Sequence, residues 1–354
     1  MKILVLTRYS KLGASSRFRF YQYFPYLESK ECELTVKPLL QDNYIKYLYE
    51  KTSVPYIEII NSYFNRAAVL LQKKKYDLIW LQQETFPWFP SWFERILVRS
   101  NIPIVVDYDD AFFHRYDMNN SRFVRLVLGK KIDSVMNYAN VVVAGNNYLA
   151  ERASKSGCKD VRILPTVVDI NKYPVVEQSE KECFTIGWIG SPHTAKYLEL
   201  IKDPLKDISL ANNVKIVLIG AGQFSLNDIN IERIDWKENS ESEEIQKFDV
   251  GIMPLLDSPW ERGKCGFKLI QYMASQKPVI ASPVGVNKDI VQNNLNGFLA
   301  NNSEEWVEYF KVFKNDFVLR KKMGLAGRKI VEEKYSLQVT APELFNIFQD
   351  AIKK

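Results

Sequence analysis

The chain has 354 residues, 46% of them apolar, which is enough to bury a sizeable core divided between two domains. Its 48 basic and 42 acidic residues leave a net charge of only +6, too mild and too dispersed for a nucleic-acid-binding protein. The two histidines and four cysteines lack metal-ligand spacing, which argues against a zinc site and indicates the reduced thiols of a cytosolic protein.

The first residues, MKILVLT, predict a core strand and lack the long apolar region of a signal peptide. The sequence contains no apolar run of the roughly 18–20 residues that span a bilayer. We therefore expect a cytoplasmic protein that at most contacts a membrane surface.

Short apolar runs alternate with longer amphipathic segments along the first half of the chain. The apolar runs predict strands at Ile3–Thr7, Leu34–Val36, Leu78–Leu81, Ile104–Val106, Val141–Val143 and Ile163–Leu164. The amphipathic segments predict helices at Ser16–Glu28, Pro55–Lys73, Ser121–Tyr138 and Asn147–Ser156.

The same alternation restarts after Pro165. Strands are predicted at Thr185–Ile189, Val214–Ile219, Val250–Met253, Pro278–Ala281 and Phe298–Ala300, with helices between them. Such alternation favours parallel sheets covered on both faces, so the sequence predicts an α/β protein of two doubly wound domains. The predicted domains are 1–165 and 166–336, and the last helix, 337–354, could pack back on the first domain.

Three cations, Arg262, Lys264 and Lys268, crowd the start of a helix predicted over Gly266–Ser275. A helix N-terminus carries partial positive charge and normally has acidic neighbours. The cations therefore indicate a bound anion, and together with backbone N–H groups at the helix start they would suit a diphosphate. The alternative is a solvated basic loop before a core helix.

The run Phe267–Gly285, FKLIQYMASQKPVIASPVG, resembles the donor-binding segment of retaining GT-B glycosyltransferases of the group-1, sucrose-synthase-like family. Three further stretches resemble the family's interdomain segment, its C-terminal phosphate loop and its first strand and loop: Val161–Asp169 (VRILPTVVD), Thr185–Lys196 (TIGWIGSPHTAK) and Met1–Arg19. The resemblance covers nearly the whole chain and implies the GT-B fold, in which two Rossmann-like domains face an interdomain cleft.

The resemblance also implies an activity. Members of the family transfer a sugar from a nucleotide-sugar donor to a glycan or lipid-linked acceptor, with retention of configuration and without a metal. We expect the same here, in cell-surface polysaccharide biosynthesis, with no cofactor beyond the nucleotide sugar and no divalent metal. The expected location is cytoplasmic, with peripheral contact at the inner face of the cell membrane and no nucleic-acid partner.

The donor site expected from the resemblance lies in the C-terminal half. The diphosphate-binding residues are expected to be Lys196, Arg262, Lys264, Gly266 and Phe267, and the nucleoside-binding residues Gln271 and Trp236.

The sequence departs from the family at three functional positions. The family's paired glutamates, eight positions apart, fall at Gly263 and Gln271, and its phosphate-loop arginine falls at Ser191. Glu261 could replace the first glutamate as a catalytic group, and Arg262 or Lys264 could supply the missing cation.

Three aspartates follow the predicted strand Ile104–Val106, at Asp107, Asp109 and Asp110. We predict that Asp109 and Asp110 are catalytic groups that orient sugar hydroxyls or stabilise an oxocarbenium ion, where relatives often carry a histidine. Alternatively, Asp110 caps the next segment, or Asp107 and Asp109 form a D-x-D cation site for Mg²⁺ or Mn²⁺.

The loop after the first strand is the expected acceptor and phosphate loop, with Gly13, Ser16 and Arg17 as its candidate residues. As an alternative, Ser16 is a helix N-cap.

The segment Thr85–Arg99, TFPWFPSWFERILVR, combines aromatic and basic side chains, which suits a membrane interface or, equally, a core helix with a charged edge.

Two other functions fit the same architecture. One is a nucleotide-sugar epimerase, which would release a rearranged nucleotide sugar without an acceptor. The other is a non-catalytic sugar-nucleotide-binding subunit that partners an active transferase.

Overall fold

The computed structural model describes residues 1–49, 54–71, 75–95 and 101–353. The chain forms two compact units. Unit 1 comprises Met1–Thr166, Gly263–Cys265 and Thr340–Lys354, and unit 2 comprises Val167–Arg262 and Gly266–Val339. Within the described ranges, no helix combines the length and the apolar character needed to cross a bilayer.

Unit 1 is built on a parallel sheet in the order β2-β1-β3-β4-β5-β6. The strands are β1 (Lys2–Leu6), β2 (Glu33–Val36), β3 (Leu78–Gln82), β4 (Ile104–Tyr108), β5 (Val141–Ala144) and β6 (Val161–Ile163). Runs such as VVVA in β5 are buried along their whole length. Continuous apolar strands of this kind are expected when helices cover both faces of a parallel sheet.

The helices of unit 1 connect these strands. They are α1 (Ala14–Arg19), α2 (Phe24–Ser29), α3 (Asp42–Tyr49), α4 (Tyr56–Leu71), α5 (His114–Asp117), α6 (Arg122–Leu128), α7 (Lys131–Tyr138) and α8 (Asn147–Lys155). The predicted helix Ser16–Glu28 is wrong as one element, because α1 and α2 are separated by a 3-10 turn at Tyr21–Tyr23 and Pro25 lies in the first turn of α2. Proline lacks the N–H that a continuous helix would need at this position.

Unit 2 has a second parallel sheet in the order β12-β11-β10-β7-β8-β9. Its strands are β7 (Phe184–Ile189), β8 (Val214–Ile219), β9 (Ile231–Ile234), β10 (Val250–Met253), β11 (Val279–Ala281) and β12 (Gly297–Leu299). The sequence did not predict β9, because its residues IERI lie at the sheet edge, where two charged side chains are exposed and the apolar run is lost.

The helices of unit 2 are α9 (Pro192–Ala195), α10 (Lys202–Ser209), α11 (Glu241–Gln246), α12 (Pro259–Arg262), α13 (Phe267–Ala274), α14 (Asn287–Ile290), α15 (Ser303–Asn315) and α16 (Phe317–Lys334). The last helix, α17 (Leu337–Lys353), begins in unit 2 and continues into unit 1. Of the predicted helix Pro55–Lys73, Lys73 lies outside the described residues. The predicted helix Ser121–Tyr138 is two separate helices, α6 and α7, divided at Gly129–Lys130.

Candidate functional site

The order of the strands in unit 2 reverses between β7 and β10. Open α/β sheets bind ligands at such a switch point, beside the carboxyl ends of the strands. Two stretches begin at this edge: the loop Gly190–Ser191 after β7, and the chain from Pro254 to Gly266 after β10. The topology therefore brings the predicted phosphate loop and the predicted cationic loop to the same edge of the sheet.

The helix α13 starts at this edge with an unusual backbone. Its N-cap, Gly266, has φ 65°, a left-handed conformation that glycine adopts without strain. The first turn contains no acidic residue, and the Nζ of Lys268 lies 5.4 Å from the ring centroid of Trp188. Phe267, the first helical residue, packs partly buried against the core. The start of α13 thus combines a helix N-terminus with a cation, as anion binding requires.

Lys196 and Arg262 lie on neighbouring segments of unit 2. Lys196 is exposed at the start of a short 3-10 helix, with its Nζ 5.4 Å from the ring centroid of Tyr197. The Nε of Arg262 is 2.6 Å from Oδ1 of Asp257, and its hydrogen bond lowers the pKa of the Asp257 carboxyl. This ion pair is half exposed on both sides, so an incoming anion could compete for the guanidinium at little cost.

Glu261 is buried, and its carboxylate accepts hydrogen bonds from the hydroxyls of Tyr197 and Ser258. The carboxylate is therefore held in a fixed position by α12 and the 3-10 helix. Its predicted catalytic role stays a prediction.

Gln271 lies in a buried polar cluster that the sequence predicted only in part. Its Nε2 donates to Oε1 of Glu241 at 2.6 Å and to the hydroxyl of Tyr173 at 3.2 Å. The indole Nε1 of Trp236 donates to the other oxygen, Oε2, of Glu241 at 2.6 Å. The Tyr173 hydroxyl donates to Oε1 of Glu241 at 3.1 Å, so three donors converge on one carboxylate. Glu241, which sequence reasoning missed, is thus the centre of the cluster that holds Gln271 and Trp236.

The Glu241 carboxylate gives a physical reason for glutamine at position 271. A glutamate there would bring a second carboxylate against the first, and two such groups in contact cannot both remain ionised. An amide instead donates a hydrogen bond to the carboxylate.

We therefore expect Gln271→Glu to reduce the free energy of unfolding by about 1–3 kcal/mol at neutral pH. The repulsion raises the pKa of the carboxyl pair in the native state above the ordinary value of about 4.3. The native state then holds a proton that the unfolded chain has released, so the deficit should grow as the pH rises above about 4 and vanish well below it. Denaturant unfolding at several pH values measures this, and a pH-independent deficit would contradict the like-charge explanation.

Lys264 lies in the short segment Gly263–Cys265 that belongs to unit 1. Its Nζ is 3.3 Å from Oδ1 of Asp110, and the side-chain amide of Asn146 donates to the carbonyls of Gly263 and Lys264 at 2.9 and 3.0 Å. A Cβ on Gly263 would lie 2.5 Å from the Cβ of Ala111. The family's glutamate has no room here, which accounts for the glycine.

Asp109 lies beside Asp110 at the carboxyl end of β4. It accepts hydrogen bonds from the hydroxyl of Ser15 and from Nε2 of Gln83, the latter at 3.2 Å. These residues follow β1, β3 and β4, and the order of the strands in unit 1 reverses between β1 and β3. Unit 1 therefore also gathers polar groups at its switch point.

Asp107 differs from the other two aspartates because it is fully buried. Its two oxygens each accept a hydrogen bond from the Arg19 guanidinium at 2.8 Å, and burial raises the pKa of Asp107 to about 6. Engagement of both oxygens by Arg19 argues against the D-x-D cation site. Within the described residues, no group of three or more His, Cys, Asp or Glu side chains could hold a metal ion.

The expected acceptor residues lie at the start of α1. Gly13 is the N-cap of this helix, and Ser16 lies inside it, where its hydroxyl bonds Oε1 of Gln82 at 2.7 Å. The alternative that Ser16 is the N-cap is therefore wrong. Arg17 is buried, with its guanidinium 4.7 Å from the ring centroid of Phe18.

Residues 183–313 match the family model described as glycosyl transferases group 1. This matched stretch lies in unit 2, apart from Gly263–Cys265, and includes the loop after β7, Glu241 and the start of α13. A search of curated proteins finds no match.

Solved structures resemble the whole chain. Sucrose-phosphate synthase from Thermosynechococcus elongatus has a TM-score of 0.74 at 14% identity, covering 99% of this chain and 98% of its own. HepE from Anabaena in complex with UDP has a TM-score of 0.73 at 16% identity, covering 99% and 100%. A glycosyltransferase from Rickettsia africae has a TM-score of 0.71 at 14% identity, covering 100% and 99%. The chain therefore has the GT-B fold, as predicted.

Proposed function

We propose that the protein is a glycosyltransferase that moves a sugar from a nucleotide-sugar donor to a glycan or lipid-linked acceptor in cell-surface polysaccharide biosynthesis. The observation that carries the proposal is that the match to glycosyl transferases group 1 spans the cationic start of α13 at the switch point of unit 2. HepE has been solved with UDP and with UDP-glucose, so UDP-sugars are the first donors to test.

The proposed role of unit 2 is to hold the donor and to stabilise the leaving group. The start of α13, Lys196 and Arg262 would neutralise charge that builds on the departing diphosphate, which is the main electrostatic contribution to such a transfer. The cluster of Gln271, Glu241 and Trp236 would hold the nucleoside. Because protein cations supply the neutralising charge, the proposed reaction is metal-independent, and we propose retention of configuration as in the family that the sequence resembles.

In unit 1, Asp109 and Asp110 are the proposed groups for sugar orientation, and Gly13, Ser16 and Arg17 at the start of α1 are the proposed groups for the acceptor. Asp109 is held by Ser15 and Gln83, so its carboxylate is fixed by the first turn of α1 and by the residue that follows β3.

The first experiment is thermal-shift screening with nucleoside diphosphates, followed by incubation with a panel of nucleotide sugars. A ligand that binds the native state raises the melting temperature, and the expected turnover is sugar transfer or slow donor hydrolysis that EDTA does not stop. Release of a rearranged free nucleotide sugar would support the epimerase instead, and binding without turnover would support the partner subunit. Failure of every nucleoside diphosphate to bind would refute the proposal.

We expect Lys196→Ala or Lys264→Ala to reduce donor turnover about tenfold or more, equivalent to about 1.4 kcal/mol of transition-state stabilisation. Lys329→Ala is the matched control, since Lys329 is a largely exposed lysine of α16 whose Nζ lies 3.9 Å from Oε1 of Glu333. Steady-state kinetics measures the effect. If all three variants turn over the donor at the same rate, the assignment of the two lysines is wrong.

A further inference from the structure

The helix α4 presents a broad uncharged face to solvent. Tyr56, Ile60, Phe64 and Leu71 recur at intervals of four, four and seven positions and are exposed, with 70% of Phe64 and 82% of Leu71 accessible. Ile57 and two alanines, at positions 67 and 68, complete the same side of the helix. An amphipathic helix normally buries its apolar stripe, whereas α4 exposes one.

The loop 86–93 joins this face to a second exposed apolar group. Tyr63 of α4 donates a hydrogen bond to the carbonyl of Pro87 at 2.9 Å, and its ring lies 5.4 Å from that of Phe89. Trp88 precedes Phe89 in the chain, and the guanidinium of Arg115, a residue of α5, lies 4.9 Å from the ring centroid of Trp88. Trp88, Phe89 and Trp92 are themselves exposed.

The helix α6, which packs on α5, carries the second group. Phe123, Leu126 and Val127 are exposed on one side of it, with 84% of Leu126 accessible. We call the exposed apolar residues of α4, of the loop 86–93 and of α6 the apolar face of unit 1. Large exposed apolar surfaces on a protein mark interaction sites.

Exposed cations lie on α6 and next to it in the chain. Arg95, Arg122, Arg125 and Lys130 are exposed, and residues 118–130 contain no acidic side chain. Exposed aromatics with flanking arginine and lysine are the composition of surfaces that lie in the interface of an anionic bilayer. A symmetric pair of this chain would instead bring the arginines of α6 toward their own copies, which repel.

We propose that the apolar face of unit 1 docks on an anionic membrane surface, with the side chains of α4 and α6 entering the boundary between headgroups and acyl chains. This inference goes beyond the proposed function and does not depend on it, since it requires neither donor nor acceptor. The sequence had predicted membrane contact only at Thr85–Arg99, of which residues 96–99 lie outside the described residues. The structure adds α4 and α6.

Co-sedimentation of the full chain with vesicles tests the proposal. We expect binding to phosphatidylcholine vesicles that contain phosphatidylglycerol, and much weaker binding to phosphatidylcholine alone. The double variant Ile60→Ser, Phe64→Ser should reduce binding about tenfold or more. The double variant Arg122→Gln, Lys130→Gln should reduce only the electrostatic part of the binding, which requires anionic lipid and is weakened by added salt.

The matched control is Leu210→Ser with Val318→Ser, two comparably exposed apolar side chains of unit 2. Circular dichroism and thermal melting establish that each variant is folded. Binding that is absent, equal for both vesicle types, or equally reduced by the control pair would overturn the proposal. Dimerisation in solution that Phe64→Ser abolishes would overturn it in favour of contact between copies.

Discussion

Replacing Arg19 with methionine is expected to lower the free energy of unfolding of unit 1 by about 3–5 kcal/mol. The guanidinium makes two 2.8 Å hydrogen bonds to the buried Asp107 carboxylate and donates to the carbonyl of Leu164 at 2.7 Å. Methionine fills much of the same volume but leaves a buried carboxylate without a counter-charge. Urea unfolding measures the loss, and hydrogen exchange at β4 locates it in unit 1.

Two further variants separate charge from volume. Arg162→Met removes an arginine that pairs with Asp160 but is itself 44% exposed, so solvent screens its charge and the change should cost only about 0–1 kcal/mol. Adding Asp107→Leu to Arg19→Met removes the orphaned carboxylate and should recover most of the lost stability. A loss from Arg19→Met no larger than that from Arg162→Met would mean that the buried pair contributes little.

The Arg19–Asp107 pair also illustrates what the sequence could not predict. Asp107, Asp109 and Asp110 look like one cluster because they are adjacent in the chain. Asp107 instead pairs with Arg19, which lies 88 residues earlier in the chain. Pairing over such a distance leaves no local pattern. The strands, in contrast, were predicted almost completely, because a buried parallel strand is a local apolar run.

The departures at Gly263 and Gln271 from the family that the sequence resembles have the same kind of explanation. Each is set by a residue from a distant segment: the Cβ of Ala111 leaves no room for a side chain at 263, and Glu241 already supplies a carboxylate beside 271. The sequence could identify both positions as unusual. Only the structure shows the neighbours that make glycine and glutamine the suitable residues there.

The start of α13 makes the sharpest functional prediction. We expect Gly266→Ala to cost about 1–2 kcal/mol of stability, because alanine is strained at φ 65°. Its Cβ would also lie 2.3 Å from Cδ1 of Ile290, so the Ile290 side chain or the first turn of α13 must shift. If that turn holds the donor diphosphate, a displacement of about 1 Å should reduce donor turnover on the order of 100-fold.

A matched glycine makes this result interpretable. Gly157 has φ 97°, and a Cβ there would lie 2.7 Å from Oδ1 of Asn137, so Gly157→Ala carries a similar backbone penalty in unit 1. Steady-state kinetics and nucleoside-diphosphate titration of the two variants, at a temperature where both remain folded, separate general destabilisation from loss of the site. Equal activity in the two variants would contradict the proposal that the start of α13 binds the donor diphosphate. A loss of donor turnover confined to Gly266→Ala would show that donor binding depends on the left-handed backbone at Gly266. It would also explain why the cations Arg262 and Lys268 lie near a helix N-terminus, which normally attracts acidic residues.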